Sequence, residues 1–432
     1  MDAVTISIIG IVAFVILMAL GIPIAFCFIT VGVLGLILLR GLNPGLSVLE
    51  SAPFTWGSAV SLLPLPLFIL MGQFAIHSGI SQDLFDSAHK WIGRFRGGLA
   101  LATTAAATGF AACSGSSVAS AATMASVAYP EMHARNYSDR LAAGSIAAGG
   151  TLAILIPPSS TFIIYGFLTN TSINKLFMAG ILPGLLLSAL FMILIYTWCR
   201  INPALGPAGP KYPWKEMIKS LKGIWGMAVL FILVMGGIWL GVFTADEAGA
   251  IGAVGAIILF LIRRGFKSPN FMKATNEAVR ISCFSMLITV AGVVFGAFLT
   301  ASGLTTVVSK FILSLPVSPY LDLFIIILLC VILGLFTPSL IVILLTVPFS
   351  FPIITGLGFD PVWFGILITI LCEMGQITPP FAICVFIVQG VTKVPMFEVV
   401  RGVLPFIGMI CVCIILIIIF PDIVLFLPNV MK

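Results

Sequence analysis

The sequence predicts an all-α polytopic membrane protein made of two inverted repeats, and three observations carry the prediction. Sixty per cent of its 432 residues are hydrophobic and only 8 % are charged, which excludes a soluble globular domain. The paired prolines of Ile156-Pro157-Pro158-Ser159 return in Ile377-Thr378-Pro379-Pro380. Each pair stands 25 residues before another proline, in Gly180-Ile181-Leu182-Pro183 and in Gly402-Val403-Leu404-Pro405. Upstream, Gly72, Ser78 and Gly79 are matched by Gly296, Ser302 and Gly303, so the offset is 222 to 224 residues throughout. Duplicated halves whose prolines interrupt apolar segments in corresponding places are the mark of a secondary transporter.

The elements follow in order. Apolar runs near 4–20, 23–39 and 61–79 open the first half, with Asp2 where a signal peptide would carry basic residues. An amphipathic helix over Ser81–Arg96 follows, its apolar residues spaced by three and four and Trp91 placed as an interfacial anchor. An apolar stretch near 97–130 has Ser114-Gly115-Ser116-Ser117 at its middle. Its legs of about 15 residues give about 22 Å of helix, which suits a re-entrant hairpin better than two crossings. A broken helix over 141–168 and a crossing at 177–199 complete a first repeat, 1–200. A cytoplasmic linker is assigned to 201–222, and a second repeat to 223–432. That repeat runs 223–243, 247–262, 278–299, an amphipathic helix over Ser302–Leu315, a hairpin near 320–354 with Thr337-Pro338-Ser339 at its tip, a broken helix over 361–389 and a last crossing at 402–420. Ordinary connecting helices are the alternative for the two amphipathic segments.

Ten crossings, five in each half, put the two copies in opposite orientations. With the N-terminus outside, 17 of the 21 Lys and Arg fall inside, and only Arg40, Lys175, Lys310 and Lys432 fall outside. This accounts for the net charge of +6 without a nucleic-acid partner. The nine cysteines sit in or beside apolar runs and read as packing residues. His77, His89 and His133 show no metal-ligand spacing. Gly249, Gly252 and Gly255 read as close helix packing rather than a dinucleotide fingerprint. No Gly-x4-Gly-Lys-Ser/Thr is present, so no ATP use by this chain is expected.

Proline inside an apolar helix removes a donor and clashes with the preceding turn, yet suits the first position of a new helix. Pro157-Pro158 and Pro379-Pro380 therefore each end one half-helix and begin another, a packing kink being the alternative. Gly149-Gly150-Thr151 and Gly375-Gln376 are read as flexible backbone before each break. Four helix N-termini, after Ser116, Pro158, Ser339 and Pro380, then converge near the midplane and favour an anion. Carbonyls and hydroxyls near the breaks suit Na⁺, an oxygen-seeking ion. The candidate Na⁺ residues are Ser114, Gly115, Ser116, Thr151, Pro157, Thr337, Ser339, Gly375, Gln376 and Thr378, with the Ser160 hydroxyl as a further neutral oxygen. The candidate substrate residues are Ser116, Ser117, Ser159, Ser160, Thr337 and Pro380. Glu373, the one acid inside a core span, is a candidate coupling carboxylate that aids cation binding, titrates, or pins unwound backbone. Lys175, Arg263 and Arg264 read as loop anchors.

At these residues the sequence resembles the large membrane subunit of tripartite ATP-independent periplasmic (TRAP) transporters, the DctM-like family. The stretches that carry the resemblance are Gly97-Gly98-Leu99-Ala100, Ser114-Gly115-Ser116-Ser117-Val118-Ala119, Leu155-Ile156-Pro157-Pro158-Ser159, Ala179-Gly180-Ile181-Leu182-Pro183-Gly184 and Glu373-Met374-Gly375-Gln376-Ile377-Thr378-Pro379-Pro380. It covers nearly the whole chain. The resemblance implies a Na⁺-coupled importer of organic anions in the bacterial inner membrane, with no other cofactor, working by an elevator motion of a transport domain against a scaffold. It also implies a small four-helix membrane subunit, here a separate polypeptide, and a periplasmic binding protein. Many members carry an aspartate near the second hairpin tip, where Gly334-Leu335-Phe336-Thr337-Pro338-Ser339 has none. A stand-alone Na⁺/dicarboxylate-type symporter and a channel are the competing readings. No nucleophile–base pair points to an enzyme.

Overall fold

Where water is scarce a backbone must satisfy itself, and this chain does so with twenty α-helices among its described residues. The computed structural model describes residues 2–266, 268–314 and 316–431; Leu315, of the second amphipathic segment, and the charges Lys267 and Lys432 lie outside them. The first half holds α1 (Ala3–Ala19), α2 (Ile24–Arg40), α3 (Leu42–Gly57), α4 (Pro64–His77), α5 (Ile80–Ile92), α6 (Gly98–Ser114), α7 (Ser117–Ala134), α8 (Asp139–Leu155), α9 (Ser160–Thr169) and α10 (Ile173–Ile201). The second holds α11 (Trp214–Trp239), α12 (Ala245–Arg264), α13 (Pro269–Ala301), α14 (Leu304–Leu313), α15 (Pro319–Gly334), α16 (Ser339–Gly356), α17 (Pro361–Ile377), α18 (Ile383–Thr392), α19 (Met396–Ile419) and α20 (Asp422–Val430).

The centre is built from the half-helices that precede the breaks. Every residue of α8 from Leu141 to Leu155 is buried, as is every residue of α17 from Val362 to Ile377. Small residues let neighbours approach the first of these: an added Cβ on Gly150 would stand 2.8 Å from the Ala121 Cβ of α7, and one on Gly144 would stand 2.5 Å from the Gly402 backbone of α19. Gly180 has the same role, with the Leu155 carbonyl 2.5 Å from where its Cβ would be. Outward faces of α1, α11, α13, α15 and α19 expose Ile8, Ile232, Phe284, Phe324 and Ile415, the apolar surface a bilayer covers.

Several expectations are corrected. Seven single helices are long and apolar enough to cross a membrane, eight if the pair α8–α9, bent by 40°, is one span, rather than ten. Helices α1 and α2 have 17 residues each, about 25 Å, and fall just short. The hairpin legs have 16 to 18 residues, with Pro130 inside α7 and Pro348 and Pro352 inside α16. The expected flexible glycines before the breaks are helical: Gly149, Gly150 and Thr151 lie in α8, and Gly375 and Gln376 in α17. Close packing, not mobility, is what they provide. The linker assigned to 201–222 is helical from Trp214, where Pro213 caps α11.

The amphipathic segments differ from one another. Helix α14 leaves Val307 and Phe311 exposed, whereas α5 buries Ile80 and Phe85. Trp91, expected as an interfacial anchor, donates its indole N–H to the Met217 carbonyl of α11 at 3.1 Å. Arg263, expected as a loop anchor, closes α12 onto α5 and α11 by donating to Asp83 and to the Gly223 carbonyl. On the other side of α5, Arg135 donates to His89 Nε2 at 2.8 Å.

Candidate transport site

Two hairpin tips and the first break meet around one cavity. At the first tip, Gly115 takes a left-handed conformation (φ 58°) that turns α6 into α7, and its Cβ position lies 3.2 Å from the Pro158 carbonyl oxygen. Ser116 caps α7 by accepting the Ala119 amide at 3.4 Å, and Ser114 Oγ donates to the Ser116 carbonyl at 3.0 Å. Ser160 Oγ donates to the Gly115 carbonyl at 3.3 Å, which ties the tip to the head of α9. At the second tip, Gly334 lies against Gly375 of α17 so closely that a Cβ on Gly375 would stand 2.4 Å from the Gly334 carbonyl carbon.

Glu373 joins these parts. It is 1 % exposed. Its Oε2 accepts from Ser117 Oγ, at the start of α7, at 2.6 Å. Its Oε1 accepts from Ser339 Oγ, at the start of α16, at 3.1 Å and from Gln376 Nε2 at 2.7 Å. Gln376 Nε2 also donates to Ser339 Oγ at 2.6 Å. One carboxyl group thus holds the first turns of both hairpins' second legs to α17.

Above this network lies a cavity of about 280 Å³. Of the residues singled out from sequence, Ser114, Gly115, Ser116, Ser117, Ser160, Ser339 and Gln376 line it. Glu373 sits behind Ser117 and Ser339. Thr151, Thr337 and Thr378 are elsewhere, their hydroxyls donating to the Ala148, Leu333 and Met374 carbonyls of their own helices. Pro157, Gly375, Ser159 and Pro380 do not line the cavity either; the Ser159 hydroxyl is buried without a partner, as is that of Thr161. The helices after the breaks begin later than expected: α9 starts at Ser160 and α18 at Ile383, three residues beyond Pro380. Ile383 does not line the cavity, so the helix starts around it are those of α7, α9 and α16.

Two lining residues escaped the sequence reading, Gln73 of α4 and Ser285 of α13. Gln73 stands within an apolar stretch of α4, and that isolation was an available signal; Ser285, with Ser282 and Thr289 a turn away on α13, carried none.

Fold and site together define a polytopic α-helical membrane protein with a polar-tipped cavity among its hairpins and broken helix. Residues 11–423 match the family described as tripartite ATP-independent periplasmic transporter, DctM component. The chain belongs to that family, as a large permease subunit. It is 34 % identical over 401 residues to the C4-dicarboxylate TRAP transporter large permease protein DctM of Pseudomonas aeruginosa, across 90 % of this chain and 93 % of that one. It is 30 % identical to the sialic acid TRAP transporter large permease protein SiaM of Vibrio cholerae, across 95 % of each. In fold alone it resembles the YdaH transporter of Alcanivorax borkumensis, with a TM-score of 0.64 and 12 % identity over 90 % of this chain and 88 % of that one.

Proposed function

We propose that this chain is the large membrane subunit of a Na⁺-coupled importer of a small organic anion. A periplasmic binding protein delivers the substrate, and a small four-helix membrane subunit braces the permease. The protein resides in the bacterial inner membrane with its N-terminus in the periplasm, as the Lys and Arg distribution favours. The observation that carries this reading is the meeting of three helix N-termini, those of α7, α9 and α16, at one cavity. Unsatisfied first-turn amides and aligned peptide dipoles favour an anion there. The buried, unpartnered hydroxyl oxygens of Ser159 and Thr161 beside the first break fit an oxygen-seeking cation. The matched element order of the two halves supports an inverted repeat, with each half offering one cation site. In the elevator motion that follows, the hairpins and broken helices move as one body, because Glu373 and the glycine contacts bind them together.

The test is tracer uptake in proteoliposomes holding this chain and its small subunit, with the Na⁺ gradient and the binding protein varied independently. Uptake requiring both is expected. Uptake with Na⁺ alone would make the chain a stand-alone symporter, and flux that is neither saturable nor Na⁺-driven would make it a channel.

A further inference from the structure

An anion is bound by hydrogen-bond donors, and most polar side chains around the cavity have given theirs to the protein. Ser114 and Ser160 each donate their one O–H to a carbonyl, of Ser116 and Gly115 respectively, while Ser117 and Ser339 donate to Glu373. Gln376 donates through Nε2 to Glu373 and to Ser339. Ser116 accepts the Ala119 amide and keeps its proton. Two further lining side chains donate to nothing among the described residues: Gln73 of α4, 5 % exposed, and Ser285 of α13, 4 % exposed. Buried polar groups of this kind are normally paired. Resting on the importer reading, we infer that Gln73 and Ser285 bind the anionic group of the substrate, Gln73 through its Nε2 hydrogens and Ser285 through its Oγ hydrogen.

These two residues stand on a different packed unit from the hairpin tips. Helices α4 and α13 are joined to each other by His77 and Glu277, 2.9 Å apart, and by Phe74, next to Gln73, whose ring centroid lies 5.2 Å from that of Phe271. The first turns of α7 and α16 are joined instead to α17, through Glu373. A substrate that takes the first-turn amides on one side and Gln73 and Ser285 on the other spans both units. In the proposed elevator motion, its hold on α4 and α13 is released before the hairpins move past them. The substrate is thus gripped across the sliding boundary and not by the moving body alone.

The experiment is thermal unfolding of the full chain, purified in detergent with Na⁺, titrated with succinate, isethionate, gluconate and N-acetylneuraminate. Ligands that bind the native state raise Tm with concentration, and the most potent of the four serves as the probe. Gln73→Met keeps the length of the side chain and removes its donors. It is expected to raise the probe's half-effect concentration at least tenfold, and Ser285→Ala severalfold. Neither variant should lower the unliganded Tm, because each removes an unpaired polar group from a buried position. Better or equal stability with weaker binding is the signature of a binding residue. Unchanged probe concentrations in both variants would mean that water alone satisfies these groups, and would overturn the inference. A lowered unliganded Tm would mark the two side chains as structural and overturn it as well, as would a wild type that none of the four stabilises. In each of these cases, Na⁺-driven uptake of any organic anion in proteoliposomes preserves the importer reading, while its absence removes that reading too.

Discussion

At the scale of single residues, the sequence marked where polar side chains gather more reliably than which way each one faces. A serine beside a glycine in an apolar run advertises a tip, and Ser114, Ser116, Ser117 and Ser339 line the cavity. Threonine near a break advertises the same thing, yet Thr151, Thr337 and Thr378 turn their hydroxyls to their own helices. Nothing in one dimension distinguishes a hydroxyl that faces a cavity from one that bonds its own preceding turn. Glu373 was legible as an intramembrane acid; that it would accept from both hairpins was not, because those partners lie 256 and 34 residues away. Glu373→Ala leaves the Ser117 hydroxyl without a partner, while Ser339 and Gln376 keep each other. A stability loss of about 1–3 kcal/mol is expected in thermal unfolding. Glu373→Gln retains an acceptor and should lose less; an equal loss would show that the acceptor contact is not what matters. The glycine pair makes an asymmetric prediction. A Cβ on Gly375 meets Gly334 backbone at 2.4 Å, but a Cβ on Gly334 meets nothing nearer than 3.4 Å. Gly375→Ala should therefore cost about 1–3 kcal/mol and most of the uptake, and Gly334→Ala little of either. Equal effects in the two variants would refute the asymmetry.

At the scale of elements, the polar tips, the proline breaks and most of the long apolar helices were legible, because prolines and polar residues interrupt strongly apolar runs. Helix α3 was not foreseen: Leu42–Gly57 includes Asn43, Glu50 and Pro53 and has no apolar run to announce it. Nor was α20, which lies beyond the last expected crossing at 402–420 and carries Pro428 within it. Packing on neighbours stabilises both, and packing is not written locally. Helix α5 was foreseen by its periodicity, but its partners were not. Its His89 makes a pH prediction. Burial, then the neighbouring Arg135 charge, lowers the His89 pKa below its usual 6.5, and Arg135 can only donate, so His89 Nε2 accepts as a neutral imidazole. The unfolded chain therefore binds the proton more readily than the folded one. This contribution to stability is complete above about pH 6.5 and is lost as pH falls toward the lower folded value. His89→Gln should flatten that part of a Tm-against-pH curve; an unchanged slope would show that His89 is not its source.

At the scale of the whole molecule, two central half-helices, two tips and a surrounding apolar belt form a frame in which charge movement is the measurable quantity. A monoanion entering with one Na⁺ moves no net charge. With two, inward transport gains about 2.3 kcal/mol at 100 mV, roughly a 50-fold gain in accumulation. Tracer accumulation should therefore rise when an inside-negative potential is imposed on the proteoliposomes, and indifference to that potential would reduce the stoichiometry to one. The surroundings of α5 bear on how such a machine moves. Toward α11 and α12 this helix is pinned by Trp91, Asp83 and a Ser87–Ser220 contact at 3.1 Å. Toward α6 and α7 it presents buried apolar side chains and, among the described residues, one side-chain tie, His89–Arg135. Directional bonds resist sliding, whereas apolar contact area can be exchanged for more of the same. In the proposed motion helix α5 would serve as a bearing, bolted to one race and greased on the other, and acid at His89 would loosen its last catch.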